Sequence, residues 1–221
     1  MSQNTISERA DDPTLARIGA FSDGVFAFAI TLLVLTIRIP RPTDTDATAG
    51  LWTLLIQQWR NCLAFVLSFM LVGINWANHR VMFSKFARSS HALIWLNLIY
   101  LMVGVAFMPI PTAILGDWIG NPQNQVVAAV FYGAASIVGG IAFNMIWWYG
   151  AYAGKLTTPS LTEGERRAHT IAWGIAPLAV VTLTAIAFVN PMLAVIGYVA
   201  IVMFYVLPVP GLVVLHQRRR H

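Results

Sequence analysis

The sequence predicts an all-α membrane protein with six transmembrane helices. Of its 221 residues, 57% are hydrophobic and only 10% charged, with a mean hydropathy of +0.67. A typical soluble domain carries about 25% charged residues, so part of the solvent must be lipid. The apolar residues also gather into six stretches, each near the roughly 20 residues that cross a bilayer as a helix.

The first stretch runs from about Arg17 to Ile39 and stops at Pro40. Pro42 and a Thr/Asp run then make a polar loop to Gly50. The second covers about Trp59–Asn78, with Leu51–Trp59 as an amphipathic lead-in. The third covers about Ala92–Leu115, where Pro109 and Pro111 read as a kink or an end of the helix, the end being preferred to a gating hinge. Gly116–Pro122 makes a turn. The fourth covers about Val126–Ala151, and its Gly133, Gly139 and Gly140 suggest a close helix-packing face. Leu161–Glu165 reads as a loop before the fifth stretch, about Thr170–Val189. Asn190-Pro191 is a tight turn into the sixth, about Met192–Leu215. Pro177, Pro208 and Pro210 read as kinks near helix ends.

Residues 1–15 are then a polar N-terminal segment, 16–215 one six-helix unit, and 216–221 a basic tail. The first apolar stretch is too long for a signal peptide and is expected to remain as a span. Lysine and arginine fall unevenly between the two faces. One face collects Arg9, Arg17, Arg80, Lys85, Arg88, Lys155, Arg166, Arg167, Arg218, Arg219 and Arg220. The other has only Arg38, Arg41 and Arg60. Six spans with both termini in the cytoplasm satisfy this split, in a multi-pass protein of the cell membrane. The formal charge of +5 is therefore a matter of orientation, and no nucleic-acid partner is expected. Cys62 is the only cysteine, which rules out an intrachain disulfide. No nucleotide loop, zinc spacing or nucleophile elbow occurs, so the chain reads as a non-enzyme without a cofactor. Trp52, Trp59, Trp118, Trp147 and Trp148 read as interfacial aromatic belts.

The chemistry lies in the first stretch. An ionised Asp inside a span is costly and needs a partner, and Asp23 lies about 9 Å beyond Arg17 at helical rise. Antiparallel packing would bring Arg17, Ser22, Asp23, His79 and Asn97 into one layer. That layer is either a buried network holding three helices in register or a direct ion or proton site. Phe28, Leu32 and Leu35, with Thr31 beside them, form one helical face. The face is either ordinary packing or an apolar pore wall that gates by dewetting.

The run Arg17-x-x-x-Phe21-Ser22-Asp23-Gly24 resembles the signature of the transmembrane protein 175 family, the endolysosomal potassium channels and their prokaryotic relatives. The resemblance continues in Phe69 with Asn75-Trp76-x-x-His79, in Trp95-Leu96-Asn97 and in Pro109-x-Pro111. It implies a potassium-permeable cation channel without a Thr-Val-Gly-Tyr-Gly filter, with the pore lined by the first helix of each subunit. A single-repeat chain of this length implies a homotetramer. The resemblance places the constriction at Phe28, with Thr31, Leu32 and Leu35 also facing inward. It implies that Arg17, Ser22 and Asp23 bond to His79 and Asn97, while Trp76 and Trp95 pack beside Asp23 and Phe21 belongs to the same motif network. One departure stands out: the constriction is usually a branched aliphatic residue, and here it is Phe28. Thr31, the one hydroxyl near the middle of the stripe, is the candidate for selectivity. The competing readings are a proton-coupled transporter using Asp23 and His79, and a membrane scaffold without transport.

Overall fold

A polar cap starts the first helix, and the lipid-length stretches set the rest of the architecture. The computed structural model describes residues 12–42, 48 and 50–206. Helix α1 spans Pro13–Leu32 and tightens into a 3₁₀ turn over Leu33–Thr36. It is followed by α2 (Leu51–Gln57), α3 (Trp59–Phe83), α4 (His91–Tyr100), α5 (Pro109–Trp118), α6 (Gln125–Trp148), α7 (Glu163–Ala187) and α8 (Pro191–Val206). No strand occurs among the described residues. Five helical rods are long and apolar enough to cross a membrane, with α4 and α5 forming one rod over His91–Trp118. The sixth, α8, is described over 16 residues. The expected continuation to Leu215, Pro208, Pro210 and the basic tail lie outside the described residues, as do Arg9 and most of the N-terminal segment.

Asp12 caps α1 by accepting the Thr14 N–H at 2.9 Å, with Pro13 at the first helical position where its missing N–H costs nothing. Its second carboxylate oxygen accepts the Ser89 N–H at 2.7 Å and the Ser89 hydroxyl at 2.6 Å. These bonds tie the start of α1 to the loop between the second and third spans. They also hold the Asp12 carboxyl at about 2, the Ser89 hydroxyl having the largest effect. At the same end, the Ala87 N–H donates to the Leu156 carbonyl and Arg88 donates to the Lys155 carbonyl. Arg17, Lys85, Arg88 and Lys155 thus share one end of the bundle, as the charge split predicts. Arg60 lies against Gly120 at the opposite end.

The proline expectations need correction. The third span does not end at Pro109. It widens into a π-helical stretch over Leu101–Ala106 and resumes as α5. The widening sends the Phe107 N–H back to the Met102 carbonyl, and the Met108 N–H takes the Val105 carbonyl. Val105 is the carbonyl the Pro109 ring would otherwise clash with. Pro177 lies in the middle of α7, not near its end. The fifth helix also begins earlier than predicted, because Thr162 and Glu165 form a capping box that makes Glu163–Glu165 helical. Trp147 belongs to the core rather than an aromatic belt. It is fully buried, donates its indole N–H to Thr170 and packs edge-on to Trp173. Its neighbour Trp148 is exposed. The small-residue face of α6 is as predicted: a methyl added at Gly139 would sit 2.8 Å from the Gly104 Cα, so the backbones of α6 and the third span touch there.

Candidate functional site: the two faces of the first helix

Ile18, Ser22, Phe26, Ala29 and Leu33 recur every three or four residues along α1 and the turn that follows, and all are buried. Ser22 is the polar member. Its hydroxyl donates back to the Ile18 carbonyl at 2.8 Å and accepts from Asn97 Nδ2 at 3.0 Å. With the amide nitrogen committed to Ser22, Asn97 Oδ1 is left to accept from His79 Nε2 at 2.8 Å. The proton therefore sits on Nε2. His79 is 1% exposed. Its ring stacks on Phe83 at 4.3 Å and on Tyr100 at 5.8 Å, with Phe26 edge-on at 5.5 Å. Ser22, Asn97 and His79 thus join three spans through one chain of neutral hydrogen bonds in an aromatic cage.

The rest of the predicted layer separates from this chain. Asp23 is exposed and accepts the Trp76 indole N–H at 2.7 Å, not a bond from His79 or Asn97. The Arg80 guanidinium lies over the Trp76 ring at 5.1 Å. Arg17 is exposed and makes no hydrogen bond or ion pair with the described residues. Phe21 is exposed. Trp95 does not pack beside Asp23; it is exposed and donates to His91 Nε2 at 2.8 Å. The reason is helical geometry. Ser22 points at the third span, so Asp23, one residue on, is turned about 100° away. Asn97 takes the inward face of α4, and Trp95, two residues earlier, is carried to the far side.

The opposite face of α1 has no partner among the described residues. Phe28 is 66% exposed and Leu35 is 74% exposed. Thr31 is exposed as well, while Leu32 is half-buried at the flank of the stripe. Phe21, Gly24, Phe28, Thr31 and Leu35 alternate spacings of three and four, the seam that lets parallel helices pack around a shared axis. The Thr31 hydroxyl donates to the Phe28 carbonyl at 2.7 Å. Its proton is used within the helix, and its lone pairs remain open on the outer face.

The contact of Trp76 with Asp23 is the one the motif resemblance implies, although the partners lie 53 residues apart. Sequence reasoning missed two contributors. Asp12 was readable as an Asp-Pro helix start, whereas Asn144 is fixed by a neighbouring helix and had no local signal.

The fold and these two faces define a polytopic α-helical membrane protein whose first helix is held on one side only by the described residues. The model for Endosomal/lysosomal potassium channel TMEM175 matches residues 17–109, which contain every motif residue above except Pro111. A potassium channel from Streptomyces collinus is 38% identical over 189 residues, covering 86% of this chain and 90% of that protein. A potassium channel from Chamaesiphon minutus is 37% identical over 188 residues, covering 85% and 91%. The crystal structure of a lysosomal potassium-selective channel TMEM175 homologue from Chamaesiphon minutus superposes with a TM-score of 0.78. It is 34% identical, and the match covers 88% of this chain and 97% of that one. The chain belongs to the TMEM175 family of ion channels.

Proposed function

We propose that this protein is a potassium-permeable cation channel of the cell membrane, active as a homotetramer with both termini in the cytoplasm. In this reading four copies of α1 surround a central axis. Phe28 forms the narrowest ring, and Leu32 and Leu35 extend the apolar wall. Four Thr31 hydroxyls offer lone pairs that replace part of a cation's water shell. Potassium is the one ligand the reading requires. The observation that carries it is the division of α1, whose inner face is bonded and buried while its seam of Phe28, Thr31 and Leu35 has nothing to pack on among the described residues. The names of the relatives supply the ion.

An apolar ring of this kind closes by excluding water and opens when it widens. The Ser22–Asn97–His79 chain then sets the rotation of α1 and so the side chains that face the axis. The transporter reading is weaker, since Asp23 and His79 are bonded to different partners, Trp76 and Asn97. The scaffold reading leaves the seam of α1 without a purpose. Purified protein in a planar bilayer is expected to pass potassium current that changes when Phe28 is substituted. No current from folded protein under any cation gradient would overturn the proposal.

A further inference from the structure

Pro177 has no N–H, so the Trp173 carbonyl one turn earlier lacks its helical donor. Asn144, from α6, supplies it: Nδ2 donates to the Trp173 carbonyl at 3.1 Å and to the Gly140 carbonyl at 2.9 Å. Gly140 in turn lets the Pro177 ring approach, since a methyl there would lie 2.9 Å from the Pro177 Cγ. Both partners are acceptors, so the orientation of the amide is fixed and Oδ1 is its free end. Asn144 is 3% exposed, and Oδ1 is buried without a donor among the described residues. An unpaired amide oxygen in a low-dielectric interior is unfavourable and calls for a donor.

Asn144 lines two cavities. The inner one, about 80 Å³, also has Asn75 and Asn78 in its wall. The outer one, about 470 Å³, is a groove between α6 and α7 lined by Ile141, Ile171, Ile175 and Leu178. These four side chains are exposed on the outside of the bundle, which in a bilayer is acyl-chain territory. The groove is within the range of sites that hold a small organic ligand. Its depth restricts the ligand. Trp173 is about 9 Å along α7 from Arg167, the last basic residue of its charged first turns, and so lies several Å inside the hydrocarbon core. A phospholipid headgroup does not reach that depth, whereas a neutral head with one donor does.

We propose that the groove at Pro177 binds a neutral membrane amphiphile whose hydroxyl donates to Asn144 Oδ1 and whose hydrocarbon tail lies along Ile141, Ile175 and Leu178. The site is separate from α1, so it does not depend on the channel reading. The test uses a long-chain alcohol carrying a photoreactive diazirine on its tail, its methyl ether, and the protein in phosphatidylcholine vesicles. After illumination, labelled peptides are quantified by mass spectrometry.

In the wild type, the alcohol is expected to label α6 and α7 about fivefold more than the ether, the worth of one net hydrogen bond. Asn144→Leu should make the two probes equal. Ile175→Trp fills the groove without touching Asn144 and should lower both. Equal labelling by alcohol and ether in the wild type would overturn the proposal and leave Asn144 to water in the inner cavity. Labelling spread evenly over all lipid-facing helices would overturn it too. Should Asn144→Leu fail to fold, the alcohol-to-ether ratio in the wild type and the fall in labelling by both probes in Ile175→Trp still decide the matter.

Discussion

Asn97 donates to Ser22 at 3.0 Å across the contact between the first and third spans, and this bond lies on the same inward face of α1 as buried Ile18, Phe26, Ala29 and Leu33. Replacing Ser22 by Ala removes one interhelical bond and should cost about 1 kcal/mol. Asn97→Leu costs more, about 1–3 kcal/mol, because His79 keeps a buried N–H with no acceptor. Thermal unfolding of the detergent-solubilised protein should rank wild type above Ser22→Ala and Ser22→Ala above Asn97→Leu.

Phe26 and Phe28 are two residues apart and face opposite ways, one 1% exposed and the other 66% exposed. Phe26→Ala opens a cavity beside His79 and Tyr100 and should destabilise the fold by about 3–5 kcal/mol. Phe28→Ala should leave stability nearly unchanged and raise potassium current severalfold by widening the apolar ring. Paired unfolding and bilayer recordings separate the two effects.

Thr31 presents lone pairs outward while its proton is held by the Phe28 carbonyl. Thr31→Val keeps the shape and removes the oxygen. The potassium-over-sodium permeability ratio, read from reversal potentials, should fall in Thr31→Val and be retained in Thr31→Ser.

Asp12 titrates at about 2 in the fold against an ordinary value of 3.8. A depressed carboxyl contributes stability that is complete above its unfolded value and is lost as pH falls through its folded value. The difference in unfolding temperature between wild type and Asp12→Asn should therefore be constant above about pH 5 and shrink toward pH 2. Ser89→Ala removes the largest cause of the shift, so its Asp12 should lose this contribution at a higher pH than the wild type.

Much of this molecule is legible in its sequence. Span number follows from length and hydropathy, and the meeting of Ser22, His79 and Asn97 follows from antiparallel helices and residue depth. Periodicity is less informative than in a soluble helix. Lipid is as apolar as a core, so both faces of α1 are hydrophobic and the pattern does not say which is buried. The same ambiguity hid the burial of Trp147 beside exposed Trp148. Prolines mislead for a different reason. The strain at Pro109 is relieved by a π-helical stretch upstream, and the missing bond at Pro177 is replaced by Asn144 from another helix. Neither remedy is local to the proline.

The most direct test is cysteine accessibility along α1 in a Cys62→Ser background. Potassium current is recorded from Phe28→Cys, Leu35→Cys, Phe26→Cys and Ala29→Cys before and after a charged, membrane-impermeant thiol reagent. Modification should block current through Phe28→Cys and Leu35→Cys and leave Phe26→Cys and Ala29→Cys unaffected. Block through Phe26→Cys and Ala29→Cys, with Phe28→Cys and Leu35→Cys untouched, would contradict the assignment of the pore to the exposed face of the first helix.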